Sequence, residues 1–171
     1  IVVDAIAEGR IGYAIRSIHA LRDRDQILYG EGLACLTERD GTVHVGGGFV
    51  AALEVLGEAP VLDRHVLRLV LEEIESDPLA VLGCHLSADN FSDAETWAHI
   101  RNQILQRSEL APRLILDIDA TSPFSDITLA SDLLSEVRAL GCRVALDGFG
   151  HDQGAHIHAL EFDADIVTID A

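Results

Sequence analysis

Short apolar runs ending in a carboxylate recur along this chain, each separated from the next by a loop and a segment with a different periodicity. Arg113-Leu-Ile-Leu-Asp117, Arg143-Val-Ala-Leu-Asp147 and Ile166-Val-Thr-Ile-Asp170 are such runs, and each reads as a buried strand. Between the first two, Ile127 to Leu140 carries apolar residues at helical spacing, and Gly141 stands where a helix C-cap belongs. Earlier, Ala80 to Leu86 reads as a strand followed by a helix from about Asp93 to Ser108. Leu62 to Ser76 is a further amphipathic helix, and Gln26 to Leu33 another strand. Arg10 to Arg24 is extended and leads into a polar turn, Arg22-Asp-Arg-Asp25, so the first two strands are expected to form a hairpin. A hairpin makes one of them antiparallel to its partner.

Strands alternating with helices imply parallel pairing through right-handed crossovers. Apolar runs without alternation imply burial on both faces. An open doubly wound sheet and a (β/α) barrel both satisfy this. Glu31, His85, Asp117, Asp147 and Asp170 each lie at or near a strand's C-terminal end. Polar groups converging from several strand ends are how a barrel builds a site, whereas an open sheet concentrates its site at one switch point. The expectation is therefore an α/β fold of the barrel kind. At 171 residues the chain is shorter than the about 250 of a complete barrel. It contains no Met, and it stops one residue after a strand-like run, so it is expected to be a piece of one domain. No linker, low-complexity tract or second domain interrupts it.

Composition narrows the chemistry. Apolar residues make up 49% of the chain and aromatics only 5%, so the core must be built from Leu, Ile, Val and Ala. The formal net charge of −17 repels nucleic-acid phosphates. The same field penalises any anionic ligand unless arginines or a divalent metal reverse it locally. Cys35, Cys84 and Cys142 are odd in number, far apart and without a C-x-x-C, so they read as buried reduced thiols rather than a disulfide frame or a zinc site. No apolar stretch approaches the about 20 residues of a membrane span and no signal peptide is present. The expected location is the cytoplasm, alone or as the cytosolic part of a larger or membrane-anchored protein.

A hairpin followed by acid-tipped parallel strands resembles the EAL family, which takes its name from a Glu-Ala-Leu at the end of its second strand. Here that motif reads Glu31-Gly32-Leu33. The likeness continues through Asp40-Gly41, Phe49, the Leu62-Asp63-Arg64 that opens a helix, and His85-Leu86-Ser87-Ala88 where the family has Asn-Leu-Ser. Asp117-Ile118-Asp119-Ala120 stands where the family has Glu-Ile-Thr-Glu. The strongest stretch, Ala139 to Gly150, contains Leu146-Asp147-Gly148-Phe149-Gly150 against the family's Leu-Asp-Asp-Phe-Gly. It runs on without a gap to Thr168-Ile169-Asp170, the family's Lys-Ile-Asp. The resemblance spans essentially the whole chain. It implies a single EAL-like domain over residues 1–171, a (β/α)8 TIM-like barrel with an antiparallel first strand whose last strands lie beyond residue 171.

The resemblance also implies a cyclic-di-GMP phosphodiesterase site holding two Mg²⁺ or Mn²⁺ ions, the two-metal clamp of in-line displacement. Hard divalent ions take oxygen ligands. Glu31 and Asp147 keep the family's residue types, Asp117 replaces a Glu and shortens its reach, and His85 replaces an Asn. These four are the candidate metal ligands, with His85 better suited to Mn²⁺ or Zn²⁺ than to Mg²⁺. Gly148 replaces the second Asp and has no side chain to offer; Thr168 replaces the Lys that orients the attacking water; Ala120 replaces a further Glu. The phosphate-contacting Arg is Cys35, and the Gln-Pro that frames a guanine reads Arg16-Ser17. Arg16 and Arg64 are the candidates for meeting a phosphate instead. The loop that couples site and dimer in the family, Thr-Gly-Tyr-Ser-Ser-Leu, has become His151-Asp-Gln-Gly-Ala-His156.

Plainer readings stand beside these. Glu31, Asp117 and Asp147 can cap strand ends or pair with arginines. His151, Asp152, His156 and His158 read as solvated loop residues before they read as a metal or pH-sensing site.

Three functions follow. The first is a non-catalytic domain of bacterial cyclic-di-GMP-related signalling that works through contacts with another signalling protein or as a homodimer, and needs no cofactor. The second is a cyclic-di-GMP receptor that does not cut. The third is a residual phosphodiesterase giving linear pGpG with Mg²⁺ or Mn²⁺. A divalent ion among Glu31, His85, Asp117 and Asp147 would favour the enzyme, and ion pairs from those carboxylates to arginines would favour the scaffold.

Overall fold

A computed structural model describes residues 2–119, 121–148 and 161–169. After a short helix α1 (Val2–Ala7), strands β1 (Ile11–Ala20) and β2 (Asp23–Thr37) form the expected antiparallel hairpin, paired from Ile11↔Leu36 to Ala20↔Asp23. The register slips around His19, the signature of a bulge near the turn. A short strand β3 (Val43–Val45) folds back on the end of β2, and a helix α2 (Gly48–Val55) follows it.

From there the chain alternates. Helix α3 (Ala59–Ser76) leads to β4 (Leu82–Leu86), α4 (Ala94–Gln106) to β5 (Leu114–Asp119), and α5 (Ile127–Arg138) to β6 (Arg143–Asp147), with β7 (Ile166–Val167) after it. The strand order is β1-β2-β4-β5-β6-β7, with β3 branching from β2, and every pair from β2–β4 onward is parallel. This is a curled part of a barrel wall with an antiparallel first strand, the α/β barrel class expected.

Local chemistry sets the helix starts. The Asp93 carboxylate accepts the backbone N–H groups of Glu95 and Thr96, and that of Asp126 accepts the N–H of Leu129, the N-cap arrangement that satisfies otherwise orphaned donors. Arg113 ties the other end of α3 to the sheet, its Nη1 donating to the carbonyls of Ile74, Asp77 and Ala80. Gly141 lies past α5 at φ 106°, where a Cβ would come 3.2 Å from Pro112 Cγ.

Parity along the strands separates two cores. Leu82, Cys84 and Leu86 of β4, Leu114, Leu116 and Ile118 of β5, and Val144 and Leu146 of β6 pack outward against the helices. Leu62, Val66, Leu67, Val70, Leu71 and Ile74 of α3 supply much of the other half of that layer. The opposite parity forms a small inner cluster of Tyr29, Ile115 and Ala145 with Ile18, Val81 and Ile166 against it. Asp117, on the same parity as Ile115, therefore points into the barrel interior, as do His85 and Asp147 on their strands. All three cysteines are free and buried. The two ends of the strand order carry exposed apolar side chains, Ile15 and Ile27 on the hairpin and Val167 and Ile169 at the far side.

Candidate functional site

The strand-end residues gather at the mouth of the curled sheet. A cleft of about 390 Å³ is lined by Arg16, Glu31, Glu54, Asp63, His85 and Asp147 among others. Of the residues singled out by the sequence, Arg16, Glu31, His85 and Asp147 thus share one wall, while Asp117 is buried and does not line it. Arg64 lies on α3, where its Nε donates to the Pro60 carbonyl of its own helix, away from the cleft. A second cleft, of about 620 Å³, opens between β1 and β7, with Arg16, Asp147 and Thr168 on its border.

Glu31 is only 3% exposed. The hairpin register places Arg16 of β1 directly opposite it, and cross-strand partners share a face. Arg16 Nε donates to Glu31 Oε2 at 2.8 Å, and Arg16 Nη2 lies 2.7 Å from the same oxygen.

Asp117 is held from across the sheet. The Tyr29 hydroxyl, on β2, donates to Asp117 Oδ2 at 2.8 Å, passing over β4 to reach β5. It passes where Gly83 sits: a Cβ on Gly83 would meet Tyr29 Cε2 at 2.7 Å and Asp117 Oδ2 at 3.1 Å. The other carboxylate oxygen, Oδ1, is buried without a hydrogen-bond partner. Burial above all, and then the charge of Glu31, raise the Asp117 carboxyl to about 7. The same burial, with Asp117 beside it, holds the Tyr29 phenol above its ordinary range.

Asp147 Oδ1 accepts the Thr168 hydroxyl and the backbone N–H of Gly148. Gly148 itself has φ 72°, a left-handed conformation, and a Cβ there would lie 3.6 Å from Asp119 Oδ1. Asp119, level with Asp147 in the β5–β6 register, is committed to a turn, accepting the N–H and hydroxyl of Thr121. On the cleft's other flank Asp63 is fully buried and accepts from the Ser87 N–H, the Ser87 hydroxyl and Asn90 Nδ2 at 2.7–2.8 Å. Burial raises its carboxyl, and the hydrogen bonds oppose that rise.

These residues do not fit a two-metal centre. Glu31 is paired with Arg16, Gly148 brings no side-chain ligand, and among the described residues no group of three or more His, Cys, Asp or Glu side chains is arranged to hold an ion. Tyr29 and Gly83 are functional-site residues that the motif reading passes over. Their signal was strand parity: Tyr29 lies two residues before Glu31 and Gly83 two before His85, each on the interior face. Ala120, Phe149-Gly150, the histidine cluster His151, Asp152, His156 and His158, and Asp170 lie outside the described residues.

The family model described as EAL domain matches residues 2–171. No curated protein sequence matches. Among solved structures, the Vibrio cholerae LapD S helix-GGDEF-EAL protein superposes with a TM-score of 0.85 at 19% identity, covering 99% of this chain and 41% of that one. The FimX EAL domain of Xanthomonas citri, in complex with c-diGMP, gives 0.78 at 20% identity, with 99% and 67% covered. The Bacillus subtilis YkuI protein, with an EAL domain and in complex with c-di-GMP and calcium, gives 0.77 at 17% identity, with 99% and 44% covered. The chain thus spans under half the length of two of these three, and at such identities the likeness shows the fold alone.

Proposed function

The chain belongs to the EAL domain family, and from that premise we propose that it is a non-catalytic EAL domain of bacterial cyclic-di-GMP-related signalling, acting in the cytoplasm through contacts with another signalling protein or a second copy of itself. The observation that carries the reading is the ion pair of Arg16 with Glu31, the carboxylate of the family's naming motif. A phosphodiesterase would need that carboxylate for a metal ion. Three further features agree. Gly148 offers no side-chain ligand where the family has its second Asp, and its left-handed backbone is poorly suited to a side chain. Thr168 spends its hydroxyl on Asp147 in place of a lysine that would orient water. Asp117 is shorter than the family's Glu and is bonded to Tyr29.

A second reading, a residual phosphodiesterase using one metal ion, is favoured by the Asp117 Oδ1 atom, buried without a partner as an unused ligand would be. Product analysis separates the two. The protein is incubated with cyclic-di-GMP and Mn²⁺ and the mixture resolved by chromatography. The proposal expects no linear pGpG above the protein-free control; pGpG formed in proportion to protein would replace it with the second reading.

A further inference from the structure

Helix α2 carries a single charged residue, Glu54, and is otherwise apolar on every side. A helix that is apolar all round belongs in a core. One side of α2 meets that expectation: Leu53 is buried, and Phe49 and Val50 pack against the main core. The other side does not. Ala51, Ala52, Val55 and Leu56, spaced i, i+1, i+4 and i+5, share a face. All four are exposed, Val55 at 88% and Leu56 at 59%. Val45 of β3, 49% exposed, borders the same cleft as Ala51, so the apolar surface runs from the edge strand on to the helix. The free edges of the sheet are not its cause: α2 links β3 to α3 beside β2 and β4, whereas those edges are β1 and β7.

Contiguous exposed apolar surface marks a contact site, and charge narrows what covers this one. Glu54 stands beside the stripe and lines the cleft mouth. Burial raises its carboxyl, the nearby carboxylates Asp63, Asp119 and Asp89 raise it further, and His85 alone opposes them. Among the described residues no arginine pairs with it. Glu38 lines the groove on the other side of β3. Arg39, the sole Arg or Lys between residues 38 and 58, is drawn off to Glu8. A two-fold contact with a second copy, itself of net charge −17, would set these acids against their own kind. A basic partner would neutralise them. Ala51 and Ala52 are small enough to let a helix approach closely.

We infer that the exposed face of α2, with Val45 beside it, is where this domain docks a basic amphipathic helix of another protein. The apolar side of that helix covers Val55 and Leu56, and a Lys or Arg on its flank meets Glu54. The inference rests on the protein-contact reading of the domain, and it adds the surface and the chemistry of the partner.

The test uses two labelled helical peptides of about 18 residues with the same leucine stripe, one with Lys and one with Glu on the polar face. Each is titrated with the full chain at about 0.15 M salt and followed by fluorescence anisotropy. The Lys peptide is expected to bind saturably and the Glu peptide not to bind. Val55→Ser/Leu56→Ser is expected to weaken the Lys peptide by about 10-fold or more, as loss of a central apolar contact does. Glu54→Gln should weaken it by a smaller factor that shrinks as salt is raised. These side chains are exposed, so the variants are expected to fold, and circular dichroism checks that they do. Leu79→Ser/Glu75→Gln removes an exposed leucine and an acid at the far end of α3, controls for general attraction to an acidic protein, and should bind as wild type does. No binding to the folded wild type, equal binding of the two peptides, or a loss no larger in the α2 variants than in the control would overturn the inference. So would a dimer, seen by sedimentation, that Val55→Ser/Leu56→Ser dissolves, because the face would then belong to a second copy. Peptide binding reads this inference alone, whereas pGpG formation reads the functional proposal, so either can fail without the other.

Discussion

Replacing Asp117 by Asn tests the electrostatics of the site interior most sharply. The wild-type carboxyl moves from an ordinary 3.8 to about 7 on folding, chiefly through burial beside Glu31. That is ~3 units, and at ~1.4 kcal/mol per unit the folded protein bears a penalty of up to ~4 kcal/mol for holding Asp117 ionised. The sign follows from proton binding. Between about pH 4 and 7 the folded chain holds this proton and the unfolded chain does not, so stability falls as pH rises through that window and levels off above it. Asn has the same shape, still accepts from the Tyr29 hydroxyl through its carbonyl oxygen, and does not titrate. Urea unfolding followed by circular dichroism at intervals from about pH 4 to 8 measures both proteins. The stability difference, variant minus wild type, should rise by up to ~4 kcal/mol across the window, leaving Asp117→Asn the better tolerated residue at alkaline pH. Asp63, whose carboxyl is also raised by burial, contributes equally to both curves and cancels in the difference. Parallel curves would refute the claim that Asp117 is a buried, proton-holding group.

Two further substitutions test the geometry around it. Gly83→Ala places a Cβ 2.7 Å from the Tyr29 ring and should destabilise the protein by about 1–3 kcal/mol in urea unfolding, because the ring must leave its path to Asp117; an unchanged midpoint would contradict the close approach. Gly148→Asp restores the family's residue type, yet it adopts φ 72° beside Asp119, so a loss of about 1–2 kcal/mol with no appearance of pGpG is expected. Hydrolysis by that single variant would show that only one ligand had been missing.

Much of the fold was legible because buried parallel strands leave unbroken apolar runs. Arg143–Asp147 is a strand from end to end, and the polar Arg22–Asp25 turn does mark the hairpin. The legible part ends where structure depends on distant partners. Strand β2 extends back to Asp23 through polar residues and on to Thr37, because β1 supplies a hydrogen-bonding edge along its length. Helices α1 and α2 and strand β3 carry little pattern: β3 is exposed throughout, and α2 starts within the Gly46-Gly47-Gly48 run. The last predicted strand, Ile166 to Asp170, is described only as Ile166–Val167. In the site, position at the strand C-terminal ends sufficed to bring His85 and Asp147 to one cleft, while Asp117 is buried away from it. The partnerships did not follow from it. Arg16 is a phosphate candidate by motif position, and its bond to Glu31 arises from a hairpin register that no local pattern sets. Tyr29 reaches Asp117 only because the intervening strand carries glycine at the crossing point.

The central proposal, that this EAL domain works through protein contacts rather than through cyclic-di-GMP, is tested most directly by calorimetric titration of cyclic-di-GMP into the folded protein with Mn²⁺ present. The account predicts no binding heat up to about millimolar ligand, whereas saturable binding at about micromolar concentration or below would contradict it.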